Sequence, residues 1–262
     1  MSIIKKANVA GQFYPDNQQE LSNMLKAFLG KDNQGYKFCP KALIVPHAGY
    51  IYSGAVAGFA YTKLFTIKDI IKQVIIFAPA HFFPFTGIAT SSVDYFQTPL
   101  GDVKVNRDTL AKIADLTNIQ ILEQAYKGEH SLEVQLPFLQ YILKEFTITP
   151  LLIGSINYNA IATIMNLLWG DDSTLFIISS DLSHYHPYET AKKIDKETSQ
   201  AILTKDIAAI KEGSACGRLA IQALLAVAIK KKLQIDLVDL RNSGDTSGSK
   251  DRVVGYGSYI IG

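Results

Sequence analysis

Two features of the chain predict an α/β fold. Apolar strand-like runs alternate with helical segments from end to end, and three of those runs stop abruptly just before a histidine-bearing turn. No Pro/Gly/Ser-rich linker divides the 262 residues and no repeat of fixed period occurs. The expectation is therefore one domain over residues 1–262. It is a single-domain three-layer αβα sandwich around a largely parallel or mixed central sheet.

In chain order, Pro15-Asp16 and the segment Gln18 to Gly30 read as a capped helix, with Leu21, Leu25 and Phe28 as its apolar stripe. Asp32 to Pro40 is a polar connector. Ala42-Leu43-Ile44-Val45 is a short buried strand that must end at Pro46, which has no N–H to give a ladder. His47 follows at once, Gly49 lets the backbone turn, and a helix spans roughly 53–65. Within it, Gly54 and Gly58 are expected to let the helix pack close on a sheet. Val74 to Ala78 is a second buried strand, closed by Pro79-Ala80-His81. Residues 86–105 are rich in strand formers, with a turn at Thr98-Pro99-Leu100-Gly101.

Asn106 caps a helix expected to reach about 116. Another helix opens near Glu129-His130-Ser131-Leu132-Glu133, with Pro137 forcing a kink or a late start. Ile148 to Ile153 is a strand and Asn157 to Trp169 a helix. The third buried strand, Leu175 to Ser180, runs straight into Asp181-Leu182-Ser183-His184-Tyr185-His186, and Pro187 starts a helix to about 203. Cys216-Gly217-Arg218 precedes a helix over 219–230. Two strands, about 233–240 and 252–261, close the chain around a polar loop, Arg241 to Lys250.

Bulk properties remove several classes of function. The formal net charge is +2 with 19% charged residues, too balanced for a nucleic-acid surface. Ile229-Lys230-Lys231-Lys232-Leu233 is the one tight basic cluster, and it sits where cations complement a helix end. Windows 42–61 and 74–93 lack Asp, Glu, Lys and Arg over the length of a membrane span, but each carries a proline and a histidine near its middle. Two cysteines make no disulfide framework, and the first residues lack the apolar core of a signal peptide. A cytoplasmic protein that binds neither membrane nor nucleic acid is expected. No G-x-S-x-G elbow, no P-loop and no G-x-G-x-x-G after the first strand occurs.

The five histidines, at 47, 81, 130, 184 and 186, carry the functional signal. Four stand just after a buried strand and His130 stands at a helix start. In a parallel sheet, His47 and His81 meet on one rim, at the carboxyl ends of strands where open α/β sheets bind ligands. Two converging imidazoles point to a metal, and the third ligand is open among Asp181, Glu133 and Cys216. Cys216 lies beside Gly217 at a helix start, where the dipole is expected to lower a thiol pKa. His184, three residues beyond Asp181, suits a general acid/base oriented by a carboxylate. His130 and Glu133 lie one helical turn apart, and Tyr50, Tyr52 and Tyr185 are candidates to line a pocket.

Pro46-His47-Ala48-Gly49-Tyr50, with Tyr52-x-Gly54, resembles the signature of the Memo family, called AmmeMemoRadiSam system protein B in bacteria and archaea. Pro79-Ala80-His81, Thr98-Pro99-Leu100, Glu129 to Glu133, Ser179-Ser180-Asp181-x-x-His184 and Cys216-Gly217 follow in the family's order over nearly the whole chain. The resemblance implies a fold like the LigB-type class III extradiol dioxygenases, which use non-haem iron. It implies that His47, His81 and Cys216 line a metal site and that His184 matches the acid/base histidine. Cys216 departs from those dioxygenases, which place a carboxylate there.

The resulting expectation is a metal-dependent redox enzyme acting on a small molecule. Its divalent metal is Fe(II), with Cu or Zn as alternatives. His184 and Asp181 are the catalytic pair, and His130, Glu133, Tyr50 and Tyr185 are the substrate contacts. The family title implies AMMECR-type and radical SAM proteins as partners. A zinc-type hydrolase and a non-enzymatic module binding a peptide or partner protein in the same cleft are the alternatives.

Overall fold

The computed structural model describes residues 2–30, 38–116, 118–246 and 248–262. Most of the expected connector from Asp32 to Pro40, and Ser247 of the expected polar loop, lie outside the described residues. The first elements are β1 (Ile4–Lys5), α1 (Gln18–Phe28), β2 (Ala42–Val45) and α2 (Tyr50–Thr62). Asn17 caps α1 through its side-chain oxygen, which accepts from the N–H groups of Gln19 and Glu20. α2 begins about one turn earlier than expected, on Gly49, and a 3₁₀ turn at Lys63–Thr66 continues it. The close approach at its glycines is to another helix and not to the sheet. A Cβ on Gly54 would lie 2.4 Å from the Phe28 ring and one on Gly58 2.6 Å from the Phe28 carbonyl oxygen.

Next come β3 (Gln73–Pro79), β4 (Ile88–Thr90), β5 (Tyr95–Thr98) and β6 (Gly101–Val105), then α3 (Arg107–Ala111). α3 is capped by Asn106 as expected but stops well short of residue 116. β7 (Ile119–Ile121) and α4 (Glu123–Tyr126) have no counterpart in the sequence reading. A 3₁₀ turn at Glu133–Gln135 precedes α5 (Leu136–Ile142), so Pro137 sits in the first turn of a late-starting helix, where its missing N–H costs nothing. β8 (Thr147–Ile153), α6 (Tyr158–Leu167), β9 (Thr174–Ser179), β10 (His184–His186), α7 (Tyr188–Thr204) and α8 (Arg218–Lys231) follow. The chain closes with β11 (Ile235–Asn242), α9 (Ser243–Thr246) and β12 (Val253–Ile261). Strand and helix thus extend into the expected polar loop.

These strands form one mixed sheet, with β8, β3, β9 and β2 side by side and parallel at its centre. Phe77 of β3 pairs with Leu151 on one side and Ile178 on the other, and Val45 of β2 pairs with Ser179 of β9. β2 and β9 are buried at every position, as strands covered by helices on both faces must be. β12 runs antiparallel on β2 and carries β11 and β10. Beyond β8 lie β6, β5 and β1, and β4 with β7. The helices complete a three-layer sandwich. The two charge-free windows resolve into strand, turn and helix and into two strands. No described helix is long and apolar enough to cross a membrane.

Candidate functional site

Because β9 lies between β2 and β3 and all three run the same way, their carboxyl ends emerge together on one rim. They deliver Pro46-His47, Ala80-His81 and Ser180-Asp181. The third tip therefore presents Asp181 first, and His184 comes three residues later at the start of β10, opposite Val254. Cys216 reaches the same rim from the residue pair that starts α8. Its N–H donates to the Asp181 carbonyl at 3.2 Å, and the Gly217 N–H donates to Ser180 Oγ at 2.9 Å. Gly217 is required there, since a Cβ would stand 2.6 Å from Ser180 Cβ and 2.8 Å from the Ser179 carbonyl.

One ligand atom from each of His47, His81 and Cys216 lies within 4.8 Å of the other two, and His47 Nε2 is 3.3 Å from Cys216 Sγ. Hydrogen-bond bookkeeping fixes how the imidazoles face. Ser179 Oγ has one proton, which it donates to the Ser131 carbonyl at 2.5 Å, and it accepts from Gln135 Nε2 at 2.8 Å. The other Gln135 N–H goes to the Pro46 carbonyl, and Tyr61 donates to Gln135 Oε1, which orients the amide. His47 Nδ1, 2.9 Å from Ser179 Oγ, must then be the protonated nitrogen. Its Nε2 lone pair is left facing the rim. His81 Nδ1 lies 3.0 Å from Glu129 Oε1, an acceptor only, so His81 too carries its proton on Nδ1 and frees Nε2.

Glu129, part of the family-like stretch 129–133 but given no role from sequence, organises this side of the site. It is 3% exposed and accepts from the N–H groups of His81 (2.5 Å), His130 (2.9 Å) and Ser131 (2.9 Å) as well as from the His81 ring. Burial alone would push its carboxyl up, but the His81 ring and these N–H groups outweigh burial and hold the pKa down at about 2. His47 is pushed well below the ordinary histidine range, first by burial and then by the neighbouring His81 and His130. Burial likewise raises the Asp181 carboxyl, against the pull of the His47 N–H. The helix start at Cys216 does not lower its thiol pKa as expected. Burial and the Asp181 charge raise it, and the sulfur packs against the Asp181 N–H at 3.2 Å.

A cleft of about 680 Å³ opens over this rim. His47, His81, His130, Asp181, His184 and Tyr185 all line it, and the Arg252 guanidinium lies over the Tyr185 ring at 5.3 Å. His130 stacks on His81 with ring centroids 5.1 Å apart and carries Phe13 on its other side at 4.5 Å.

Tyr50 and Glu133 do not line the cleft. Tyr50 is buried behind it, donating to the Val134 carbonyl at 2.7 Å. Glu133 accepts from the N–H groups of Asn8 (2.6 Å) and Val9 (3.0 Å) and from the Tyr14 hydroxyl (2.6 Å). The expected pairing of His130 with Glu133 assumed a regular helix, whereas His130 lies outside any helix and a 3₁₀ turn begins only at Glu133. Glu133 instead fastens the segment that sets Phe13 on His130. Ser179 and Gln135 were also missed. Their one local signal is that Ser179 closes an otherwise apolar strand.

Two histidines and a thiol converging at the carboxyl rim of a mixed α/β sheet define the class: an α/β protein with a side-chain cluster that could hold a metal ion. The chain belongs to the Memo family, whose model, described as "Memo-like protein", matches residues 5–260. It is similar to a MEMO1 family protein of Aquifex aeolicus, 34% identical over 271 residues that cover 98% of this chain and 99% of the relative. A MEMO1 family protein of Methanosarcina mazei is 36% identical over 281 residues, covering 98% and 99%. One from Thermoplasma volcanium is 33% identical over 273 residues, covering 98% of each.

Proposed function

We propose that the protein is a metal-dependent redox enzyme in which His47, His81 and Cys216 hold one divalent metal, Fe(II) before Cu or Zn. The observation that carries this reading is the convergence of three ligand atoms within 4.8 Å, on two imidazoles whose Nδ1 protons are already committed elsewhere. The donor set fits. Neutral imidazole and a sulfur ligand suit Fe, Cu and Zn, whereas Mg and Ca prefer oxygen. Bound there, such a metal would supply redox or Lewis-acid chemistry next to the cleft.

The protein's own groups have separable tasks in this reading. Ser179 and Glu129 hold the two imidazoles in the ligating tautomer. Asp181, fixed by the His47 N–H at Oδ1, presents Oδ2 at 4.0 Å from His47 Nε2. Together with His184 on the cleft wall it is the pair assigned to proton movement. His130 and Tyr185 line the cleft where a small organic substrate would lie, and Phe13 packs against His130.

The test is elemental analysis of protein isolated without oxygen, beside the Cys216→Ser form and the His47→Ala/His81→Ala double variant. One metal per chain is expected in the wild type, with loss from the double variant. Stoichiometric metal surviving in the double variant would overturn the ligand assignment. The same donors suit zinc, so a zinc-type hydrolase is the second reading. Oxygen uptake with catechol-like compounds, set against ester and amide hydrolysis, separates the two.

A further inference from the structure

The ligand cluster is bordered by two pockets that differ in the charged groups lining them. His47 and His81 line the wide cleft, together with Asp181, His184 and Arg252. Cys216 lines a different pocket of about 290 Å³, whose walls are chiefly Ala80, Phe83, Phe85, Ile153, Leu219 and Ala220. No charged side chain among the described residues lines it. It lies outside the carboxyl ends of β3 and β8 and against the first turn of α8, on the same rim as the cleft.

This pocket is preformed. The Ala80 N–H donates to the Ile153 carbonyl at 3.1 Å, the Ser155 N–H to the Phe85 carbonyl at 2.8 Å and the Gly154 N–H to the Gly87 carbonyl at 2.9 Å. These bonds tie the Phe83–Phe85 loop to the end of β8. Gly154 lets them come together, because a Cβ there would meet the Phe85 carbonyl oxygen at 2.3 Å. Phe83, Phe85 and Leu219 remain partly exposed at its walls. A fixed apolar wall favours small uncharged molecules and works against ions, which would lose hydration without gaining a partner.

We propose that this pocket is a second entrance to the ligand cluster, admitting a small apolar molecule or apolar substrate group to the Cys216 side. The wide cleft then serves the histidine side. The proposal rests on the metal-centre reading for its purpose but not for its physics, since the pocket exists in the chain alone. Free gas and the apolar end of a larger substrate share this chemistry, and two probes distinguish them.

The experiment uses metal-free protein carrying Cys39→Ser, which removes the exposed second thiol. Crystals under xenon report whether the pocket takes a gas atom, and labelling of Cys216 by N-phenylmaleimide, read by mass spectrometry, reports whether it takes an aryl group. Iodoacetate is the charged comparison. Ala220→Phe fills the pocket from its floor, and Leu219→Trp fills it from the partly exposed wall should the first variant fail to fold. Xenon density in the parent and its absence from a filled variant support a gas route. An approximately tenfold slower N-phenylmaleimide reaction in that variant, with the iodoacetate rate unchanged, supports an aryl site. Absence of xenon together with labelling rates indifferent to both fillings would overturn the proposal and assign access to the wide cleft. Metal content of the parent, measured separately, tells failure of the metal reading from failure of the entrance.

Discussion

Replacing Glu129 by glutamine tests whether the site's geometry is set by residues outside the ligand set. The wild-type carboxylate accepts four N–H bonds. Three reach Oε1, from the His81 ring and the His130 and Ser131 backbones, and one reaches Oε2, from the His81 backbone at 2.5 Å. Glutamine keeps one acceptor oxygen, which belongs on the three-donor side, and turns its amide N–H₂ against the His81 N–H. One bond is lost with a donor facing a donor, and three remain at neutral strength. Bonds to a charged acceptor are worth about 1.5–3 kcal/mol and neutral ones about 1, so the expected loss of unfolding free energy is at least about 3 kcal/mol. The His81 Nδ1 proton loses its strongest anchor, and metal affinity is expected to fall about 10–100-fold. Urea unfolding of the metal-free protein measures the first quantity, metal titration the second, and nitrogen NMR of the His81 ring reports the tautomer. Unfolding free energy within about 1 kcal/mol of wild type, with affinity and tautomer unchanged, would refute the reasoning.

Ser179→Ala removes the acceptor for His47 Nδ1 and strands Gln135 Nε2, at an expected cost of about 2–3 kcal/mol in urea unfolding and a drop in metal affinity comparable to that of Glu129→Gln. Gly217→Ala is expected to cost about 2–4 kcal/mol, because the new Cβ meets Ser180 Cβ at 2.6 Å and backbone at 2.8 Å; an unchanged unfolding midpoint would contradict the packing. Asp195 is buried and its carboxyl is held above the ordinary range, by burial first, against the opposing Ser183 N–H. The folded state therefore binds this proton more tightly than the unfolded chain, and ionisation erodes stability as pH climbs past about 4, the unfolded value. Asp195→Asn keeps an oxygen for Ser183 and is expected to gain stability over wild type at pH 7, with the gain shrinking toward pH 4. Equal differences at the two pH values in thermal unfolding would count against it.

What was legible in the sequence follows from the range of the interactions involved. The strand tips at Val45, Ala78 and Ser179 stood out because the runs 42–45, 74–78 and 175–178 are apolar throughout and prolines follow two of them. Their convergence was inferable from the parallel sheet alone. β7 was not legible: three residues are too few to show a strand pattern, two are exposed, and its strand partner is β4, distant in the chain. The place of Glu133 could not be read, because spacing along a helix says nothing about partners 124 or 125 residues away, and Val9 and Asn8 are those partners. Cys216 shows the same limit. Its helix start was visible in the sequence, whereas the burial and the Asp181 charge that raise its thiol depend on packing against residues distant in the chain.

These non-local contacts give the site a hierarchy. His47 and His81 stand on strand tips of the central sheet, so their positions are set by the core. Their orientations are not. Ser179, which orients His47, spends its proton on the Ser131 carbonyl, and Glu129 orients His81. Gln135, which completes the Ser179 bonds, is itself aimed by Tyr61 of α2. Both imidazoles therefore take their tautomer from one segment, residues 129–135, which Glu133 also uses to fasten Phe13 over His130. The stretch first read as a helix start with chemistry on its surface is better understood as the frame behind the ligands. The two ligand orientations are thereby coupled through residues that never touch the cleft.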